Sequence, residues 1–133
     1  MVRLLQIPLL FLCVTLVVGC GDGSKKDPAE VPVKGEVTLD GKPLPEGEIT
    51  FAVVGMPGRP IPVANGVYSG KALPGKNKVE VRAFKAGPPL STDPEKKPTK
   101  VNFLPEKYNE HSKLDAEVSP GGANEFKFDV TSR

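Results

Sequence analysis

The sequence predicts a small all-β protein with the architecture of an antiparallel seven-stranded sandwich. Three observations predict it. Short runs alternate apolar and polar residues with period two, the spacing of a strand with one buried face. Fifteen Pro and fourteen Gly in 133 residues break these runs with turns. Between the turns no helical period persists over a useful length. Several short strands separated by Gly/Pro turns pack as a sandwich.

The elements follow in chain order. Arg3 precedes an almost wholly apolar stretch, Leu4 to Leu16, which ends in Leu16-Val17-Val18-Gly19-Cys20. A membrane span needs about 20 apolar residues. Here the apolar run is shorter, contains Pro8, and stops at Gly-Cys-Gly-Asp-Gly. A cleaved export signal fits better, and the residues before Cys20 look like a lipobox, the site where a bacterial precursor is cut and its cysteine lipidated. Expected limits are therefore 1–19 for the signal peptide, 20–30 for a lipidated Cys20 and flexible tether, and 31–133 for the β-sandwich domain. The tether reading rests on GDGSKKDPAE, which is too polar to bury a core.

Cysteine usage agrees with this division. Cys13 falls in the discarded segment and Cys20 carries the lipid, so no thiol remains for a disulfide, a metal or a nucleophile. Lys and Arg number 18 against 16 Asp and Glu, a net charge of +2 with no long basic block. Nucleic acid is excluded as a partner on that balance, and Glu95-Lys96-Lys97 with Lys100 reads as a solvated loop. With no Trp and only two Tyr, a sugar-binding aromatic platform is disfavoured.

Val31, Val33, Val37 and Leu39 alternate with polar residues as a first strand, with Gly35 on the inward side where a close approach is expected. Asp40-Gly41 supplies a turn. Ile49, Phe51 and Val53 mark a second strand. Ile61 to Ala64, Asn65-Gly66 and Val67-Tyr68-Ser69 read as a hairpin, with Pro60 and Pro62 pushing its first arm to a sheet edge. Val79 to Ala83 and Phe126 to Val130 are clear alternating strands, and Val101 to Leu104 is a shorter one. The expected core is Val33, Val37, Leu39, Ile49, Phe51, Val53, Val79, Val81, Phe126 and Phe128. Lys85 to Pro98, with four prolines, is expected to be a mobile loop.

The ordered set Val33-Lys34-Gly35-Glu36-Val37-Thr38-Leu39-Asp40-Gly41-Lys42-Pro43-Leu44, Gly47-Glu48-Ile49-Thr50-Phe51, Gly66-Val67-Tyr68-Ser69 and Leu73-Pro74-Gly75-Lys76 carries a family likeness. It continues through Leu104-Pro105-Glu106-Lys107-Tyr108-Asn109, Ser112-Lys113-Leu114 and a terminal Phe-x-Phe-Asp. Behind a lipobox, this resembles the small planctomycete lipoproteins with carboxypeptidase-regulatory-like or transthyretin-like domains. The resemblance covers nearly all of 31–131 and implies a prealbumin-like or immunoglobulin-like sandwich, but no activity. Hydroxyisourate hydrolase, a transthyretin relative, needs more than one histidine, an Arg and a terminal Tyr-Arg-Gly-Ser. This chain has His111 alone and ends Val130-Thr131-Ser132-Arg133.

No catalytic set is legible. His111, Ser112 and Asp115 are too close in sequence for triad geometry, and no Gly-x-Ser-x-Gly elbow occurs. Asp93 and Glu95 do not continue into a calcium loop, no His/Cys cluster offers a metal site, and no cofactor is expected. An isopeptide bond between Lys34 and Asn124, assisted by Glu80, is disfavoured because Lys34 lies on the polar phase of its strand. The binding candidates are Tyr108, Asn109 and Leu90. Tyr108 has a structural alternative, a corner tyrosine whose hydroxyl bonds to backbone. The expected function is a non-enzymatic binding or structural module of the cell envelope, membrane-held through Cys20 and contacting an envelope protein or wall polymer. A small-ligand carrier is the alternative, and a degenerate transthyretin-like hydrolase a remote one.

Overall fold

The computed structural model describes residues 28–133. The expected signal peptide, Cys20 and most of the expected tether lie outside the described residues. The chain forms strands β1 (Val31–Leu39), β2 (Lys42–Pro43), β3 (Glu46–Ala52), β4 (Pro60–Ala64) and β5 (Val67–Ala72). β6 (Gly75–Gly87), β7 (Thr99–Asn102), β8 (Leu114–Val118) and β9 (Glu125–Val130) follow, with one 3₁₀ turn at Glu106–Tyr108. They join in one curled sheet in the order β9-β1-β5-β4-β3-β6. β6 is long enough to hold two partners in succession, β8 along Gly75–Val79 and β7 along Phe84–Gly87.

Curling brings β3 against the far end of the same sheet. The Phe51 ring on β3 lies 5.9 Å from Tyr68 on β5, and 6.0 and 6.3 Å from Phe126 and Phe128 on β9. Val33, Val37, Ile49, Val79, Val81, Val118 and Val130 complete a core to which the longer strands present alternate residues. Gly35 permits the closest approach in it. A Cβ there would lie 1.8 Å from the Phe126 carbonyl oxygen and 2.8 Å from the Tyr68 hydroxyl, which donates to that same carbonyl.

The all-β class is as expected; several finer expectations are corrected. The sheet is not purely antiparallel, because β1 and β9 pair in parallel from Lys34↔Glu125 to Leu39↔Val130. β8 runs toward the end of the sheet where β1 begins, and the Ser119–Asn124 loop reverses the chain there. β9 therefore leaves in the direction of β1. Nine strands form rather than seven, since β2 and β8 each pair with a longer neighbour.

β4 is not an edge strand. It pairs with β3 along its whole length, and its pairing with β5 stops at Val63↔Tyr68, one residue short of Pro62. The prolines shorten one ladder instead of exposing an edge. Val53 is outside the core because β3 ends at Ala52 and Val53 enters a turn bridged to Met56. Leu39 and Phe126 are half-buried against the core, while Tyr68, Leu44, Ile61 and Val63 are fully in it. Lys85, Ala86 and Gly87 belong to β6, so the loop is Pro88–Pro98.

Candidate functional site

Register fixes which loops share an end. Val31 opposes Ala72, Gly75 opposes Val118, Ala52 opposes Lys78, and the Lys34 amide donates to the Asn124 carbonyl. Three loops therefore meet where the chain enters the domain: Val53–Arg59, Leu73-Pro74 and Ser119–Asn124. Their sequences, VVGMPGR, LP and SPGGAN, contain no carboxylate and one charge, Arg59. A cleft of about 300 Å³ opens there, with Phe51 as its floor, Met56, Pro57 and Arg59 on one wall, and Lys71 on the other. Pro28 and Glu30, at the root of the expected tether, line the same cleft. Val54 at the loop tip is 96% exposed and Met56 40%. Sequence reasoning missed this site, because its lining is drawn from segments separated along the chain.

The three sequence candidates do not converge on it. Asn109 is buried, and its side chain is used up on backbone. Its amide donates to the carbonyls of Leu104 and Pro105, and its Oδ1 accepts from the Glu110 amide. These bonds close the corner after the 3₁₀ turn. Tyr108 packs its ring half-buried against the core. Its hydroxyl lies 3.0 Å from Thr131 Oγ1, a side chain and not the backbone partner of a corner tyrosine. That hydrogen bond, helped by Lys107 lying 5.0 Å above the ring, holds the Tyr108 phenol below its ordinary pKa. The tyrosine that bonds to backbone is Tyr68, and burial pushes its phenol far above the ordinary value.

Leu90 is exposed in the Pro88–Pro98 loop, apart from the other two. That loop has its own order. The Asp93 carboxylate accepts from the amides of Glu95 and Lys97, and Thr99 Oγ1 donates to the Pro88 carbonyl. His111 is exposed, with Nδ1 3.1 Å from Glu106 Oε2. Ser112 Oγ donates to the Val79 carbonyl and Asp115 pairs with Lys76, so the three triad residues point to different partners.

Lys34 and Asn124 do not meet as an isopeptide pair. The Lys34 ammonium faces Glu125 on the solvent side at 3.8 Å, and the Asn124 amide donates to the carbonyls of Pro32 and Ser119. The outer face of β1 and β9 is laced with cross-strand polar pairs. Lys34 opposes Glu125, Glu36 opposes Lys127 at 2.9 Å, and Thr38 donates to Asp129. Glu36 raises the Lys127 pKa by hydrogen bond and charge. Among the described residues no group of three His, Cys, Asp or Glu could hold a metal ion. No family model, curated protein or solved structure matches the chain.

Proposed function

We propose that the protein is a lipid-anchored, non-enzymatic module of the bacterial cell envelope. The precursor is cut before Cys20, lipid is attached there, and residues 21–30 tether a β-sandwich of the prealbumin-like or immunoglobulin-like kind. This is the architecture implied by the resemblance to carboxypeptidase-regulatory-like and transthyretin-like lipoproteins. The domain contacts an envelope protein or a wall polymer. The observation that carries the reading is Leu16-Val17-Val18-Gly19-Cys20 closing an apolar run behind Arg3. The ring contacts of Phe51 across the curl support the two-layer arrangement.

The test is phase partition and intact mass of the wild type and of Cys20→Ser. The wild type partitions with membranes and has a mass beginning at Cys20 plus acyl chains. Multi-chain anchoring is stable where one chain is marginal. Cys20→Ser loses membrane retention. A serine variant that stays uncleaved and still partitions with membranes would overturn the proposal. A small-ligand carrier is the second reading. The cleft over Phe51 favours it, since about 300 Å³ lies at the lower limit of ligand sites.

A further inference from the structure

We propose that the Val53–Arg59 loop seats on the surface of the bilayer that holds the lipid, giving the domain a second, non-covalent membrane contact. The inference rests on the anchoring reading and deepens it. Four observations carry it. The loop and the root of the tether line one cleft, through Met56 to Arg59 and through Pro28 and Glu30. Its tip is apolar and turned outward, with Val54 96% exposed. The three loops at this end carry no carboxylate, which anionic headgroups would repel, and Glu30 at the tether root is the one acid lining the cleft. Arg59 and Lys71 line the cleft and form no ion pair among the described residues, while the Val54 tip lies beside Lys76, Lys78 and Lys113, with Asp115 the one acid there.

Reach decides whether this end can touch the membrane. Eight peptide units separate Cys20 from Pro28, at most about 28 Å when extended and about 15 Å as a flexible chain. A domain of this size has a radius of gyration of roughly 13 Å. The tethered end therefore lies within a domain's breadth of the headgroups. The tether also makes the contact intramolecular, so a weak surface affinity suffices. A bilayer interface takes apolar residues roughly 5–10 Å deep and basic residues beside the phosphates. Val54 and Met56 with Arg59 and Lys71 supply that pairing. At the opposite end the Pro88–Pro98 loop exposes Leu90 but carries Asp93 and Glu95 among its lysines, and the tight turns carry Asp40 and Asn65.

The protein has no Trp, so a single introduced one reports its own surroundings. Val54→Trp and, at the opposite end, Val67→Trp are made in the full chain. Both are purified as lipoprotein and reconstituted into phosphatidylcholine–phosphatidylglycerol vesicles with brominated acyl chains. Val67 is a fair control because it too is exposed. Emission of Val54→Trp is expected to shift to the blue and to be quenched several-fold more than that of Val67→Trp. Equal quenching in a chain whose intact mass shows acylation overturns the docking and leaves the anchor standing. A blue shift without quenching places the loop on protein, a second copy included, and also overturns it. A mass without acyl chains overturns the anchoring reading and the docking with it.

Discussion

The two ends of the sheet are built differently. At the entry end, the Val53–Arg59 loop, Leu73 and the root of the chain line an open cleft that reaches down to Phe51. At the far end, Asp40-Gly41 and Asn65-Gly66 make two-residue turns in which both residues have positive φ, the geometry that matches strand twist. These turns are also cross-tied. The Gly66 amide donates to the Leu44 carbonyl, and the Val37 amide donates to the Gly66 carbonyl. Asp40 accepts from both the amide and the hydroxyl of Ser132. The entry end is tied as well, through the Asn124 side chain to Pro32 and Ser119, but its Val53–Arg59 loop stands clear of those bonds with Val54 exposed.

The largest test of that contrast reaches under the entry end. Phe51→Ala removes the ring shared by Tyr68, Phe126 and Phe128 and should cost roughly 3–5 kcal/mol, read as a lowered denaturation midpoint. An unchanged midpoint would mean that the curled sheet does not depend on this cluster. Smaller, and aimed at the turns, is a pair of glycine substitutions. Gly66 and Gly55 share a positive φ, which costs an alanine about 1–2 kcal/mol. A Cβ on Gly66 also meets Pro43 Cβ at 2.7 Å, whereas one on Gly55 meets nothing within 4 Å. Gly66→Ala should therefore destabilise more than Gly55→Ala, by a further ~1 kcal/mol or more. Equal midpoints would erase the contrast between the ends.

The smallest effect concerns pH. The Ser132 amide, its hydroxyl and the charge of Arg133 lower the pKa of Asp40. A carboxylate with a depressed folded value adds stability above its unfolded pKa, and that stability fades as pH falls through the folded value. Protection of the Ser132 amide, its exchange rate relative to the intrinsic rate at the same pH, should fall only at acid pH below the ordinary Asp range. Asp40→Asn, which tolerates the same φ, should remove that acid dependence. A pH-independent protection of the Ser132 amide in the wild type would show that this tie contributes nothing.

Much of the fold was legible where alternation is strong. Val33, Val37, Ile49, Phe51, Val79, Val81 and Phe128 are buried on the phase that period two assigns them. The same rule is blind to direction, so the parallel pairing of β1 and β9 had no local signature. β8 escaped because Ala116 at its centre is too small to mark an inward face. Pro60 and Pro62 misled because a missing N–H removes one ladder bond, on whichever side it points, and does not dictate an edge. The Asn109 corner shows a different limit. A polar residue in an unusual stretch reads as available for recognition until its backbone partners are known. The cleft at the entry end joins three chain segments apart in sequence, and no single segment announces it.

The placement of β1 has a mechanical consequence. The chain enters the domain at Val31, and β1 then runs between β5 on one side and β9 on the other. Tension applied through the N-terminus while the domain is gripped elsewhere acts along the axis of β1. Its bonds to β5 lie across that axis and are loaded together in shear, with the β9 ladder sharing the load. Peeling would instead break one bond at a time. A domain pulled by its first strand in this way resists being dragged open, and it yields first where β9 can be lifted from the edge.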